Sequence, residues 1–348
     1  MTTLVTGATG YLGTVVVERL LASGARGLRC LVRPTHSTLR LQQLQATYGR
    51  AAVRLVEGNL LVRRDVRHAV AGVHRVVHLA ASMRGAPADM FLNTVVATQR
   101  LFEALPGSDV KRLILVSSLA VYGLADHPRA CPVREDAPLD PSPERRDVYA
   151  HTKIRQEELF HALPATMDIE RITLRPGPLY GRNGPEFTSR VGLRLPGLLL
   201  HLGGDHPLPL SYVDNCAEAV CRATLDAAFP SGEYNVVDDH VPTASEYLRI
   251  FRGQVRRIRY VRLPFSTTMM LSRWLERYHA ASKGQIPQVL TPYRSRNIWG
   301  GHTYANARLK DAGWSQVVST HEALTATFAE FRARQQATTA ATWRVRVT

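Results

Sequence analysis

The sequence predicts an α/β protein: a doubly wound parallel sheet joined to a smaller lobe made by the C-terminal segments. Three observations carry this. Short apolar runs alternate with amphipathic stretches from the start of the chain, a glycine-rich turn follows the first run, and after Pro176 the alternation gives way to glycine- and proline-rich sequence. Alternating strands and helices build parallel sheets covered on both faces, and such sheets hold ligands beyond the carboxyl ends of their strands.

Residues 3–6, 28–32, 53–56, 76–79, 113–116 and 169–174 read as strands, being short apolar runs bounded by polar sequence. Residues 14–23, 89–105 and 147–162 return apolar side chains at helical spacing and read as helices. Irregular sequence fills 177–210, a helical stretch begins near Asp214, and a second irregular region follows Val237. Residues 1–176 and 211–238 are therefore expected to form the sheet domain and residues 177–210 and 239–334 the smaller lobe. The Thr- and Ala-rich residues 335–348 are expected to be a mobile tail.

Composition excludes several partners. With 348 residues and 45% hydrophobic content the chain has ample material for a core. A net charge of +15 would attract polyanions, but lysine occurs only at 111, 153, 283 and 310, and the arginines are scattered rather than gathered on one element. Nucleic acid is not the expected partner. Cys30, Cys131, Cys216 and Cys221 lack metal-ligand or disulfide-framework spacing, which points to reduced thiols in the cytoplasm and to no metal. The chain opens on Thr3-Leu4-Val5 with no signal-peptide pattern, and its longest apolar stretch, 191–202, contains Arg194 and Pro196. No membrane span is expected.

Gly7-Ala8-Thr9-Gly10-Tyr11-Leu12-Gly13 lies between the first strand and the first helix. Glycines there allow a tight turn and let a pyrophosphate approach backbone N–H groups at a helix N-terminus, whose dipole favours an anion. A dinucleotide is the implied ligand. The second strand ends at Arg33, where an NAD site usually has an acid on the ribose hydroxyls, and a guanidinium there suits the 2′-phosphate of NADP. NADP(H) is thus expected over NAD(H), the bland reading of Arg33 being a solvated charge. Asn59 and Leu60, and Leu79, Ala80 and Ala81 beside His78, follow later strands and belong at the same rim, with Asn59 facing adenine and His78 open to a packing role.

Ser117 and Ser118 follow the fifth strand, and Tyr149 and Lys153 stand four residues apart on the next helix, on one face. A phenol is a poor acid or base at neutral pH, but a nearby ammonium favours its phenolate and lowers its pKa. Tyr149 can then exchange a proton with a substrate oxygen that Ser118 also hydrogen-bonds, while Lys153 holds a ribose.

Together with Asn93 in FLNTVVATQRLFEA, HLAA at 78–81, SSLAVYG at 117–123, YAHTK at 149–153, LRPGPLYG at 174–181 and SYVDN at 211–215, these motifs resemble the extended short-chain dehydrogenase/reductases, the NAD-dependent epimerase/dehydratase family. The resemblance implies a Rossmann-type nucleotide domain, Ser118, Tyr149 and Lys153 as catalytic residues supported by Asn93, and Pro176, Gly177 and Pro178 passing close to the nicotinamide. Relatives often dimerise through helices like 89–105 and 147–162, so a homodimer is compatible.

Departures narrow the expected chemistry. Sugar-nucleotide dehydratases of the family carry an Asp-Glu pair where this chain has Leu119-Ala120, which speaks against water elimination. Many of its epimerases place an arginine just before the SYVDN-like motif, whereas this chain reads His206-Pro207-Leu208-Pro209-Leu210, more like hydroxysteroid dehydrogenase-type and dihydroflavonol reductase-like members. Arg182, Arg190 and Arg194 remain available to bind phosphate from another loop. The expectation is interconversion of a ketone or aldehyde with an alcohol on a small, largely apolar molecule; the alternative is a nucleotide-sugar 4-epimerase, and the intact triad weighs against a non-catalytic sensor. An apolar substrate wall is expected from Met83, Leu119, Leu179, Phe187 and Leu195, with Met269, Met270, Leu271 and Trp274 on one side of a helix.

Overall fold

The computed structural model describes residues 1–129, 131–282 and 290–347, without the side chains of 338–347. Seven strands form one sheet: β1 (Thr3–Thr6), β2 (Leu28–Val32), β3 (Val53–Glu57), β4 (Arg75–His78), β5 (Arg112–Val116), β6 (Glu170–Pro176) and β11 (Gly232–Val236). Its order is β11-β6-β5-β4-β1-β2-β3, and every pairing is parallel. The order reverses beside β1, which opens a crevice between the ends of β1 and β4.

The strands are apolar on both faces because both are covered. Along β5, Leu113 and Leu115 join the core under α3 (Arg63–Val70), α5 (Ala97–Glu103) and α6 (Val148–His161), while Ile114 and Val116 join the core under α1 (Tyr11–Ala22) and α7 (Val213–Leu225). Leu4 and Val5 of β1 divide in the same way. This is the period of two expected of a strand buried on both sides.

Six strands were expected and seven are present. The addition, β11, carries only Tyr234 and Val236 as large apolar side chains, and its Asn235 is buried by polar bonding rather than by hydrophobicity. The expected helix 89–105 is three pieces: α4 (Pro87–Phe91), a π-helical turn (Leu92–Val96) and α5.

The remaining segments form β7 (Leu179–Tyr180) paired with β10 (Ser211–Tyr212), and a small sheet in which β9 (Leu198–His201) lies between β8 (Gly192–Leu195) and β12 (Tyr260–Arg262). Around them pack α8 (Ala244–Gln254), α9 (Phe265–Ala281), α10 (Pro292–Trp299) and α12 (Thr320–Val347), with α2 (Leu39–Tyr48) and α11 (Ala307–Asp311) against the large sheet's side. Thr243 and Glu246 close a reciprocal capping box at the start of α8, which fixes where that helix begins. An aromatic core of Tyr247, Phe251, Phe328 and Phe331 joins α8 to α12. The backbone of α12 continues helical to Val347 through the stretch expected as a tail; residue 348 and the side chains beyond 337 lie outside the described residues.

Candidate active site

The glycine turn has the shape its sequence implies. Gly7 has φ +71°, and a Cβ there would lie 2.7 Å from the Ala80 nitrogen; a Cβ on Gly13 would lie 2.1 Å from the Gly7 carbonyl oxygen. Only glycine permits this approach of loop, helix and the 79–81 segment. Gly10 caps α1 without a side-chain acceptor, and the first turn carries no acid, so N–H groups and dipole are left for an anion. This cradle fits the pyrophosphate of a dinucleotide. Thr9 and Tyr11 lie on it, the Tyr11 hydroxyl buried without a partner, while Leu12 packs inward.

At the rim, Arg33 extends from the end of β2 and its Nη1 donates to Asn93 Oδ1 at 2.9 Å. Asn93 lies in the π turn, where its Nδ2 donates to the Asp89 carbonyl at 2.8 Å. Asn93, expected as a support for catalysis, thus accepts from the residue expected at the 2′-phosphate. Asn59 Oδ1 accepts from the Leu61 N–H at 3.0 Å, which ties the side chain to its own loop. Leu60 turns into the core beneath the sheet, with Ala80 packed against that core and Leu79 against the other.

Two hydroxyls meet beyond β5. The Ser118 side chain caps a short helical turn, its Oγ accepting from the Ala120 N–H at 3.1 Å, and its hydroxyl lies near that of Tyr149. Asp147 caps α6 by accepting from the Ala150 N–H at 3.0 Å, which fixes the helix start and so sets Tyr149 in its first turn. Burial raises the Tyr149 phenol above its usual value; the nearby Ser118 hydroxyl opposes this and Asp147 adds to it.

Lys153 is fully buried and makes no bond to the phenol. Its Nζ donates to the Val116 carbonyl at 2.8 Å and to the Gln156 amide oxygen. Burial pulls its pKa down to about 7, with Glu157 acting in the opposite sense. The expected lowering of the tyrosine by an adjacent ammonium is therefore not what this geometry produces, because a carbonyl and an amide hold the cation. Gln156 continues inward to Thr98 at 2.7 Å and to His78, whose ring bonds Thr6 at 2.7 Å and Thr98 at 2.8 Å. Burial, and then the Lys153 charge, bring His78 down to about 3, so it is a neutral packed histidine.

A second buried network went unread in the sequence. Ser117 turns its hydroxyl inward to Glu157, and Arg175 Nε donates to Glu157 Oε1 at 2.9 Å. Arg175 also reaches the Tyr122 hydroxyl at 2.8 Å and lies over that ring, and Tyr122 donates to Asn235 at 2.6 Å. Burial would raise the Glu157 carboxyl, but the bond to His161 and the Arg175 charge outweigh it and hold the group below its usual value. A signal existed: Glu157 follows Tyr149 and Lys153 at the same helical interval, and Arg175 interrupts an apolar strand. The carboxyl end of that strand turns at Pro176-Gly177-Pro178, where the Gly177 N–H donates to Ser211 Oγ at 2.9 Å and a Cβ would lie 1.8 Å from the Pro209 carbonyl oxygen.

The expected apolar wall does not assemble. Leu119 is core, packed with Tyr122 and Val133, and Leu179 packs against the large core. Phe187 packs tilted against Phe251, ring centroids 4.5 Å apart, in the smaller lobe's aromatic core. On α9, Met269 is buried and Leu271 is packed, whereas Met270 is 67% and Trp274 59% exposed. Met83 is likewise exposed. Helical spacing gave these side chains one face but not one destination.

The chain's residues 3–236 match the NAD dependent epimerase/dehydratase family. Sterol demethylase protein B of Methylococcus capsulatus is 38% identical over 127 residues, 36% of each chain, so the match spans about a third of that relative. The 2-alkyl-3-oxoalkanoate reductase of Shewanella oneidensis is 24% identical, over 92% of this chain and 84% of that one. Among solved structures, the UDP-glucose 4-epimerase of Thermus thermophilus in complex with NAD superposes with a TM-score of 0.68 at 21% identity, covering 95% and 99% of the two chains, and shares the fold. The glycine cradle, the Ser118–Tyr149 pair and the buried Lys153 on a seven-stranded parallel sheet, together with the family match, make this chain a member of the NAD-dependent epimerase/dehydratase family and an NAD(P)-dependent enzyme of the extended short-chain dehydrogenase/reductase type.

Proposed function

We propose that the enzyme interconverts a ketone or aldehyde with an alcohol on a small, largely apolar molecule and prefers NADP(H) to NAD(H). The observation that carries the reading is the Ser118–Tyr149 hydroxyl pair at the end of β5, on the side of the sheet where the glycine cradle opens. Leu119 and Ala120, next in sequence, offer no acid–base pair for elimination. The similarity to a 2-alkyl-3-oxoalkanoate reductase supports a ketone substrate that bears alkyl chains.

Gly7, Gly10 and Gly13 would hold the pyrophosphate, Arg33 a 2′-phosphate, and the Pro176–Pro178 turn the nicotinamide side. The bound nicotinamide supplies or accepts the hydride. In the reductive direction Tyr149 gives its phenolic proton to the substrate oxygen as the carbonyl carbon becomes an alcohol carbon, and Ser118 donates a hydrogen bond to that oxygen as charge grows on it. Burial that raises the phenol keeps Tyr149 protonated and ready to act as the acid.

We further propose a cytoplasmic protein that associates as a homodimer through the α4–α5 and α6 helices. All four cysteines are free, and no helix among the described residues is long and apolar enough to cross a membrane.

The test is stoichiometric. Incubation with medium-chain ketones should consume NADPH in step with alcohol formed, faster than NADH. Conversion of UDP-glucose to UDP-galactose with no net change in cofactor would replace this reading with the epimerase one.

A further inference from the structure

Phe187 and Leu195, expected beside the nicotinamide, instead line a separate cavity of about 410 Å³ in the smaller lobe. None of Ser118, Tyr149, Lys153 or the glycine turn contributes to it. It is framed by the turn of the β8–β9 hairpin, where Gly197 has φ +73°, and by the segment leading from α8 into β12, held to the hairpin by the Leu199 N–H donating to the Arg259 carbonyl at 3.0 Å. Its volume falls in the range of small-molecule sites, roughly 300–1,000 Å³.

Four arginines, 194, 256, 257 and 259, converge on this space. A single carboxylate serves two of them: Glu186 accepts from Arg256 Nη2 at 2.5 Å and stands 3.6 Å from Arg194. Arg257 and Arg259 make no ion pair or side-chain hydrogen bond with the described residues. Some of the chain's arginines are matched by carboxylates, as in Arg19 with Glu218, Arg112 with Glu170 and Arg182 with Asp214. Here two cations remain unmatched beside Leu198 and Ile258, with Leu195 45% exposed at the opening. Clustered like charges raise the energy of the empty site, and a planar guanidinium presents paired donors that suit carboxylate or phosphate oxygens.

We propose that this cavity is a second binding site for a small amphipathic anion, its phosphate or carboxylate head on Arg257 and Arg259 and its short apolar body against Leu195, Leu198 and Ile258. The site is independent of the carbonyl chemistry at Tyr149. Its place in the smaller lobe makes it suited to an effector or a second ligand rather than the reacting molecule.

Calorimetric titration of the full chain, with NADPH saturating so that the cofactor cradle is filled, tests this with octyl phosphate, octanoate and inorganic phosphate. One octyl phosphate or octanoate per chain should bind, the tighter of the two identifying the head group, and inorganic phosphate should bind at least tenfold more weakly than octyl phosphate. The double variant Arg257→Ala/Arg259→Ala should weaken binding at least tenfold, Leu195→Asp should weaken it too, and Tyr149→Phe should leave it unchanged. Both altered segments are solvent-facing, and NADPH affinity reports whether each variant is folded. No binding of either amphiphile, or equal binding to the double arginine variant, overturns the proposal. So does loss of binding when NADPH is added or when Tyr149 is replaced.

Discussion

Arg33 Nη1 lies 2.9 Å from Asn93 Oδ1, joining the end of β2 to a π-helical turn on the far side of the cofactor crevice. The π turn is an insertion in an otherwise α-helical stretch, and such insertions recur at functional sites. Arg33 is therefore held in place by Asn93, and part of its hydrogen-bonding capacity is already taken.

Arg33→Ala should weaken NADPH binding by about ten- to a hundredfold, as expected for losing a charged hydrogen bond of roughly 1.5–3 kcal/mol, and should leave NADH nearly unaffected. Asn93→Ala frees the guanidinium and should change NADPH affinity in either direction by less than Arg33→Ala does. Fluorescence titration with both cofactors measures this. Equal affinity of the unaltered enzyme for NADPH and NADH would reduce Arg33 to a surface charge.

Tyr149→Phe keeps the ring and removes the transferable proton. Turnover should fall by about 10²- to 10⁴-fold while the cofactor dissociation constant stays within a factor of about two, as for loss of a group that acts in the transition state. Steady-state kinetics alongside cofactor titration separates the two. Substantial activity in this variant would move the acid role elsewhere.

Lys153 yields a stability prediction with a defined sign. Its folded pKa is depressed to about 7 from 10.5, so between those values the unfolded chain binds more protons than the folded one. Stability then rises with pH across that window and is lost as pH falls towards 7. The melting temperature of the unaltered protein, measured against Lys153→Met, should accordingly gain on the variant from pH 7 to pH 10. A constant difference would mean that the ammonium keeps its ordinary pKa.

Breaking the Glu157–Arg175 pair should cost more than any surface change. Glu157→Gln leaves a buried guanidinium without its counter-charge and should destabilise the protein by about 3 to 5 kcal/mol, read from urea denaturation. A Glu157→Leu/Arg175→Leu double variant should recover part of this, since no buried charge then remains. Destabilisation below 1 kcal/mol in Glu157→Gln would show that water reaches the pair.

What the sequence determined by itself is the part of the protein that local rules govern. Strand and helix periods place six of the seven parallel strands, and spacing alone puts Gly7, Gly10 and Gly13 on one turn and Tyr149 with Lys153 on one helical face. Tertiary structure decided where side chains on those faces end up. Lys153 turns to Val116 and Gln156, Asn93 meets Arg33 from 60 residues away, and Ser117 faces Glu157 while its neighbour Ser118 faces Tyr149. The seventh strand stayed hidden because Asn235 is buried by hydrogen bonds from distant chain, not by its own hydrophobicity. The apolar wall failed for the converse reason: an apolar residue at helical spacing reports burial, but whether it is buried in a core, a pocket or not at all depends on which neighbour reaches it, and Phe187, Leu119 and Trp274 each met a different one.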